Sequence, residues 1–238
     1  MRTAVSVIIP AWNEAERIGE TLFALQAQPL GGDEKRLPFW DELIVVDDGS
    51  TDDTLRIARS FTDRLIRHPR NEGKGAAMES GFRLAKGDVI LFLDADLGHS
   101  ATHACKLLQP VLSDLADMTI AVFPKPVNRS GLGLVKRLAQ IGVRRLGGCN
   151  VRASLSGQRA MKREVLERIV RFERGFGVEV GLTIDAARQG FRIIEIELPF
   201  VHRYTGNDLA GWLHRGKQLC SVAGAFWRKR RVSFFQRR

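Results

Sequence analysis

Cysteine, tyrosine and long apolar runs are what this 238-residue chain has least of. Its three cysteines, Cys105, Cys149 and Cys220, are far apart and odd in number, so neither a disulfide framework nor a zinc site of paired thiolates is expected. A reducing, cytoplasmic setting is the expectation that follows. No stretch approaches the ~18 apolar residues that cross a bilayer. No charged-then-apolar leader precedes the strand-like sequence that starts at Ala4, so the reading expects neither a membrane span nor secretion through a leader. Helix-turn-helix, zinc-finger and aromatic RNA-binding signatures are also missing, which argues against nucleic acid as a partner despite a formal net charge of +10. Arg228, Lys229, Arg230, Arg231, Arg237 and Arg238 carry six of those ten charges and leave four for the rest, so the basic character is mostly a carboxyl-terminal cluster.

What is present is a regular alternation of apolar runs and helical patterns. Hydrophobic content of 44% is enough for one large core. Ala4 to Ile9 reads as a buried strand that Pro10-Ala11-Trp12-Asn13-Glu14 breaks before a helix with Ile18, Leu22 and Leu25 on one face. Leu43 to Val46 is a second buried strand, ending in Asp47-Asp48-Gly49-Ser50-Thr51-Asp52, where Ser50 or Thr51 can cap a helix beginning near Asp52. A short strand near Arg64 to Arg67 leads to Asn71-Glu72-Gly73-Lys74-Gly75, which opens a helix running to about Lys86 and ended by Gly87. The glycine and hydroxyl spacing of a P-loop is absent there, which disfavours ATP hydrolysis.

Val89 to Leu93 then delivers Asp94-Ala95-Asp96 to a strand end. Two hard oxygen donors in that place suit Mg²⁺ or Mn²⁺ on a diphosphate; the bland alternative is a solvated turn before the next helix. Three βα units, each with polar residues after its strand, predict a parallel sheet with a ligand crevice at the carboxyl edge.

The ordered segments PAWNE, VVDDGSTDDT, NEGKGAA and LFLDADL resemble the nucleotide-sugar-binding half of GT-A glycosyltransferases, in particular family 2. The resemblance implies an α/β, Rossmann-like, mostly parallel sheet flanked by helices. It further implies that Pro10, Trp12 and Glu14 line the nucleobase and ribose end, that Asp48 contacts the uracil or ribose, and that Lys74 sits beside the nucleotide. Asp94 would touch the ribose or donor sugar, and Asp96 would ligate Mg²⁺ or Mn²⁺ bridging the diphosphate.

In the second half, Thr119 to Phe123 reads as a strand, Pro124 to Gly133 as a loop able to act as a lid, and Leu134 to Leu146 as a helix bearing Lys136, Arg137, Arg144 and Arg145. Ser154 to Met161 resembles the segment after the metal site in transferases with phosphorylated acceptors, which brings Arg159 among the catalytic candidates. It lacks the aspartate that many polyprenyl-phosphate sugar transferases carry before the arginine. The Gly175-Phe176-Gly177-Val178-Glu179-Val180 segment and the later His202-Arg203 are similar to those of glucosyl-3-phosphoglycerate and mannosylglycerate-type synthases. By that likeness His202 completes the metal site with Asp96, and Glu179 lies by the donor sugar and the attacking oxygen. A structural histidine and a helix-start glutamate are the plainer readings of the same two residues.

A final amphipathic helix is expected from about Asn207 to Lys229, followed by a basic, aromatic tail that would also suit an anionic membrane surface. The expected organisation is a GT-A domain over 1–206, with a donor half to about 97 and an acceptor half after it, plus the helix and tail over 207–238. The expected activity is transfer of a sugar from a UDP- or GDP-linked donor to a small phosphorylated or carboxylated acceptor. The alternatives are a polyprenyl-phosphate sugar transferase peripheral to the inner membrane face and, from another class, a nucleotidyltransferase. A homodimer is compatible with the sequence.

Overall fold

The computed structural model describes residues 3–26, 39–124, 133–169, 172–173, 175–201 and 223–229. Strand and helix alternate through the first half as β1 (Val5–Ala11), α1 (Ile18–Gln26), β2 (Glu42–Asp47), α2 (Thr54–Ala58), β3 (Leu65–Arg67), α3 (Lys74–Leu84) and β4 (Val89–Phe92). The second half adds α4 (Cys105–Leu112), β5 (Met118–Val122), α5 (Gly133–Gly147), β6 (Arg159–Lys162), α6 (Arg163–Glu167), α7 (Val178–Arg188) and β7 (Ile193–Glu197). All seven strands join one sheet in the order β3-β2-β1-β4-β6-β5-β7.

The apolar runs explain why this sheet is covered on both faces. Alternation sends Val5, Val7, Ile9, Leu43, Val45, Val89 and Leu91 into a core shared with α1 and α4. Ile8, Ile44, Val46, Ile90 and Phe92 enter a second core with Met78 of α3, Val143 of α5 and Val180 of α7. Each such fully buried aliphatic or aromatic side chain contributes roughly 1.5–3 kcal/mol.

Strand β1 takes β2 on one side and β4 on the other, both parallel. The chain therefore reverses its direction of winding between β1 and β4, and open α/β sheets bind ligands outside the carboxyl ends of their strands at such a point. Pro10 fits near the end of this central strand because of that geometry. The Ile8 carbonyl accepts from the Leu93 amide, so by the two-residue period the missing N–H of Pro10 also faces the β4 side, past the last β4 residue paired with β1.

Several boundaries differ from the sequence pattern, each for a local reason. The pattern announces no strand at Arg159–Lys162, yet β6 runs antiparallel between β4 and β5. Helix α2 begins at Thr54 and neither Ser50 nor Thr51 caps it, because the Ser50 hydroxyl accepts from the Asn13 amide instead. Helix α3 stops at Leu84 with Ala85 already extended, and Gly87 serves a different purpose: a Cβ there would lie 2.5 Å from the Ser6 hydroxyl. Residues 223–229 are helical, and their two cations are not part of a solvated tail. Lys229 is buried and pairs with Asp185 and Glu173, while Arg228 Nε lies 2.6 Å from Glu173. Residues 125–132 of the lid expected from Pro124 to Gly133, residues 207–222 of the helix expected from about Asn207 to Lys229, His202 and residues 230–238 lie outside the described residues.

Candidate active site

The loops after β1 and β2 are stitched together at the crevice. Asn13 donates its amide to Ser50 Oγ at 2.9 Å, its side-chain oxygen accepts the Thr51 amide at 2.9 Å, and the Glu14 amide reaches Thr54 Oγ1 at 2.8 Å. Asn13 adopts a φ of 55°, which asparagine tolerates better than most residues. Trp12 beside it is 51% exposed, which leaves an indole face available at the end of the strand.

Asp48 is placed differently from a simple ligand contact. Its Oδ1 accepts the Glu72 amide at 3.0 Å and meets His68 Nδ1 at 2.7 Å, and its Oδ2 accepts the Gly73 amide at 2.8 Å. His68 in turn meets Ser80 Oγ through Nε2 at 2.9 Å. The buried carboxylate thus fixes the loop that opens α3 and aims Lys74. Gly49 permits this arrangement: at φ 74° it lets the backbone pass against Arg70, where a Cβ would collide with main-chain atoms.

The centre of the site is a lysine between two carboxylates. Lys74 Nζ lies 2.5 Å from Asp94 Oδ1, just beyond β4, and 2.8 Å from Glu179 Oε1, in the first turn of α7. Burial opposes the ammonium, but the charges and hydrogen bonds of Asp94 and Glu179 outweigh it and push its pKa up, so Lys74 stays charged at neutral pH. Gln158 Nε2 donates to the other oxygen of Asp94 at 2.6 Å. Gly157 makes that approach possible, since a Cβ would lie 2.5 Å from both Asp94 oxygens and from Lys74 Nζ.

Arg159 stands behind this group and is fully buried. Its guanidinium donates to the carbonyls of Ser156 at 2.5 Å and Glu179 at 3.0 Å, and burial pulls its pKa down to about 10 against the attraction of Glu179 and Asp94. It braces the first turn of α7 and does not reach the crevice. The fold therefore brings Lys74, Asp94, Glu179 and Arg159 together from four segments. Gly157 and Gln158, from the 154–161 segment in which only Arg159 was a candidate, join them, and His68 backs Asp48 without a motif to announce it.

Asp96 is half-buried two residues beyond Asp94. No cluster of three or more His, Cys, Asp or Glu that could hold a metal occurs among the described residues, and His202 is not one of them. Both Asp94 oxygens are engaged, by Lys74 and Gln158, and Asp96 is the second carboxylate of the pair. A hard divalent ion held by one or two carboxylates, with water and diphosphate oxygens filling its other positions, fits that donor set.

Comparison with known proteins bears on the family and the fold. The model of glycosyl transferase family 2 matches residues 6–170. Glucosyl-3-phosphoglycerate synthase of Mycolicibacterium smegmatis is 33% identical over 200 residues, covering 76% of this chain but only 63% of that protein. Undecaprenyl-phosphate mannosyltransferase of Micrococcus luteus is 29% identical over 220 residues, covering 86% of each. Among solved structures, glucosyl-3-phosphoglycerate synthase from Mycobacterium tuberculosis in complex with Mn²⁺, uridine diphosphate and phosphoglyceric acid superposes with a TM-score of 0.78 at 27% identity. It covers 95% of this chain and 78% of that one.

Proposed function

The chain belongs to glycosyl transferase family 2, and on that premise we propose that it moves a hexose from a uridine or guanosine diphosphate sugar to a phosphate-bearing acceptor, with Mg²⁺ or Mn²⁺ at the diphosphate. The observation that carries this reading is the Lys74 ammonium bridging Asp94 and Glu179 beside the β1–β4 crevice. Breaking a glycosidic bond builds positive charge on the sugar and negative charge on the leaving diphosphate, and fixed charges of the opposite sign lower that barrier most where water is excluded. Glu179, with a side chain only 4% exposed, is the anion suited to the sugar side. Asp94, oriented by Gln158 and Lys74, is suited to hold ribose or sugar hydroxyls. Trp12 offers a flat apolar face for the base, with Pro10 and Glu14 beside it. A cation at Asp96 would supply Lewis-acid stabilisation of the departing diphosphate. On the likeness carried by His202-Arg203, His202 is the second protein ligand of this reading.

The neighbour that holds Mn²⁺, uridine diphosphate and phosphoglyceric acid supports a small phosphorylated carboxylate as acceptor. The undecaprenyl-phosphate mannosyltransferase supports a second reading, a polyprenyl phosphate at the inner membrane face. No helix among the described residues is long and apolar enough to cross a membrane. Nucleotidyl transfer gains no support from the family match. The test is incubation with Mn²⁺ and a panel of UDP- and GDP-sugars, with 3-phosphoglycerate in one series and a short polyprenyl phosphate in detergent in the other, read by mass spectrometry. Hexosylated 3-phosphoglycerate is expected. Transfer only to the lipid would select the second reading, and no consumption of any donor would refute both.

A further inference from the structure

The helix over residues 223–229 lies against two glycines. On α5, the Phe226 ring occupies the space that a Cβ at Gly142 would need; on α7, a Cβ at Gly181 would come within 2.6 Å of Glu173 Cγ and 3.5 Å of Lys229 Cε. Lys229 is 7% exposed, and its ammonium is placed between Asp185 on α7 and Glu173 just before it. Its own carbonyl accepts from Arg188 Nη1 at 3.0 Å, and Arg188 Nε also holds the Leu146 carbonyl at 2.7 Å. Burial pushes the Asp185 carboxyl up, and the Lys229 ammonium opposes that shift.

The two carboxylates that Lys229 joins flank Glu179 by six residues on either side. The segment between them includes the Gly175–Gly177 turn, which passes within 3.4 Å of the Cβ position of Gly73, next to Lys74. We propose that Lys229 is a positioning residue: by closing the ends of the 173–185 segment it sets how the Glu179 carboxylate meets Lys74. The proposal rests on the transferase reading for its effect on rate, and on geometry alone for its effect on the segment. Displacement by about 1 Å in a site of this kind can cost on the order of 10²-fold in rate.

The experiment compares wild type with Lys229→Met, Lys229→Arg and the triple variant Lys229→Met/Glu173→Gln/Asp185→Asn, which removes the cation together with the charges it offsets. Two readouts are taken: UDP release from UDP-glucose with Mn²⁺, and backbone hydrogen exchange. Lys229→Met should release UDP at least about 10-fold more slowly at saturating donor, with a little-changed KM. Its exchange should rise at residues 175–182 but not in β1 or β4, and both defects should be partly repaired in Lys229→Arg and in the triple variant. Unchanged exchange at 175–182 would overturn the proposal, as would a uniform rise across the sheet, which is the mark of a merely structural residue. Wild-type protein that consumes none of the UDP- and GDP-sugars with either acceptor would instead remove the transferase reading, while the exchange comparison would still decide the positioning role.

Discussion

Replacing Lys74 by methionine keeps the length of the side chain and deletes the charge that two carboxylates share. Their oxygens touch one nitrogen at 2.5 and 2.8 Å, so they lie within about 5 Å of each other; at an effective dielectric near 20 that is about 3 kcal/mol of repulsion. Asp94 is 29% exposed and Lys74 22%, so solvent screens part of this, and a net loss of about 2 kcal/mol is expected. For a chain of this size that lowers Tm by about 4–8 °C. The pH dependence is the sharper readout. In wild type the raised Lys74 pKa means its contribution is whole below the ordinary lysine range and fades only in alkali. In Lys74→Met the sign is reversed: the folded carboxylate pair binds a proton more readily than the unfolded chain does, so acid relieves the repulsion. Thermal melts of both proteins at pH 8 and pH 5 should show the deficit clearly at pH 8 and reduced at pH 5. Equal deficits at the two pH values, or no deficit at all, would refute the shared-lysine argument.

Two further predictions follow from contacts in and behind the crevice. Gly157→Ala places a Cβ against Asp94 and Lys74, so UDP release from a donor sugar should fall on the order of 10²-fold while the circular dichroism spectrum is retained; near-normal release would mean the close approach is not needed. Hydrogen bonding to Arg192 leads the causes that hold the Asp117 carboxyl well below the usual carboxylate range, with Lys162 adding to it and burial opposing. A depressed pKa contributes stability above the unfolded value near ~4 and loses it below, so the gap in urea midpoint between wild type and Asp117→Asn should narrow from pH 7 to pH 3, and a constant gap would contradict the sign.

Much of the donor half was legible because its signals are local. Leu43 to Val46 and Val89 to Leu93 are uninterrupted apolar runs and Val5 to Ile9 is broken only by Ser6, and a strand buried on both faces needs little else to be recognised. The carboxylates at their ends were equally visible. What the sequence concealed depends on partners distant in the chain. Strand β6 begins with Arg159 and ends with Lys162, which reads as surface sequence; the first is buried because the nearby Ser156 carbonyl and the distant Glu179 carbonyl satisfy its guanidinium, and the second is held by Asp114 and Asp117. Gln158 lies in the 154–161 segment, but its role appears only when Asp94 is folded against it. His68 hides in the same way behind Asp48. The cluster Arg228-Lys229 resembled the start of a tail because the glycines that receive its helix, Gly142 and Gly181, lie tens of residues earlier.

The central claim is a nucleoside diphosphate site in the β1–β4 crevice that needs a divalent ion at Asp96. Calorimetric titration of UDP and of GDP into the wild-type protein and Asp96→Ala, with and without Mn²⁺, tests it most directly. The account predicts that one nucleotide binds, that Mn²⁺ strengthens its binding by at least about 10-fold, and that Asp96→Ala loses this enhancement while melting within about 2 °C of wild type. Binding of neither nucleotide, or an enhancement by Mn²⁺ that survives in Asp96→Ala, would contradict it.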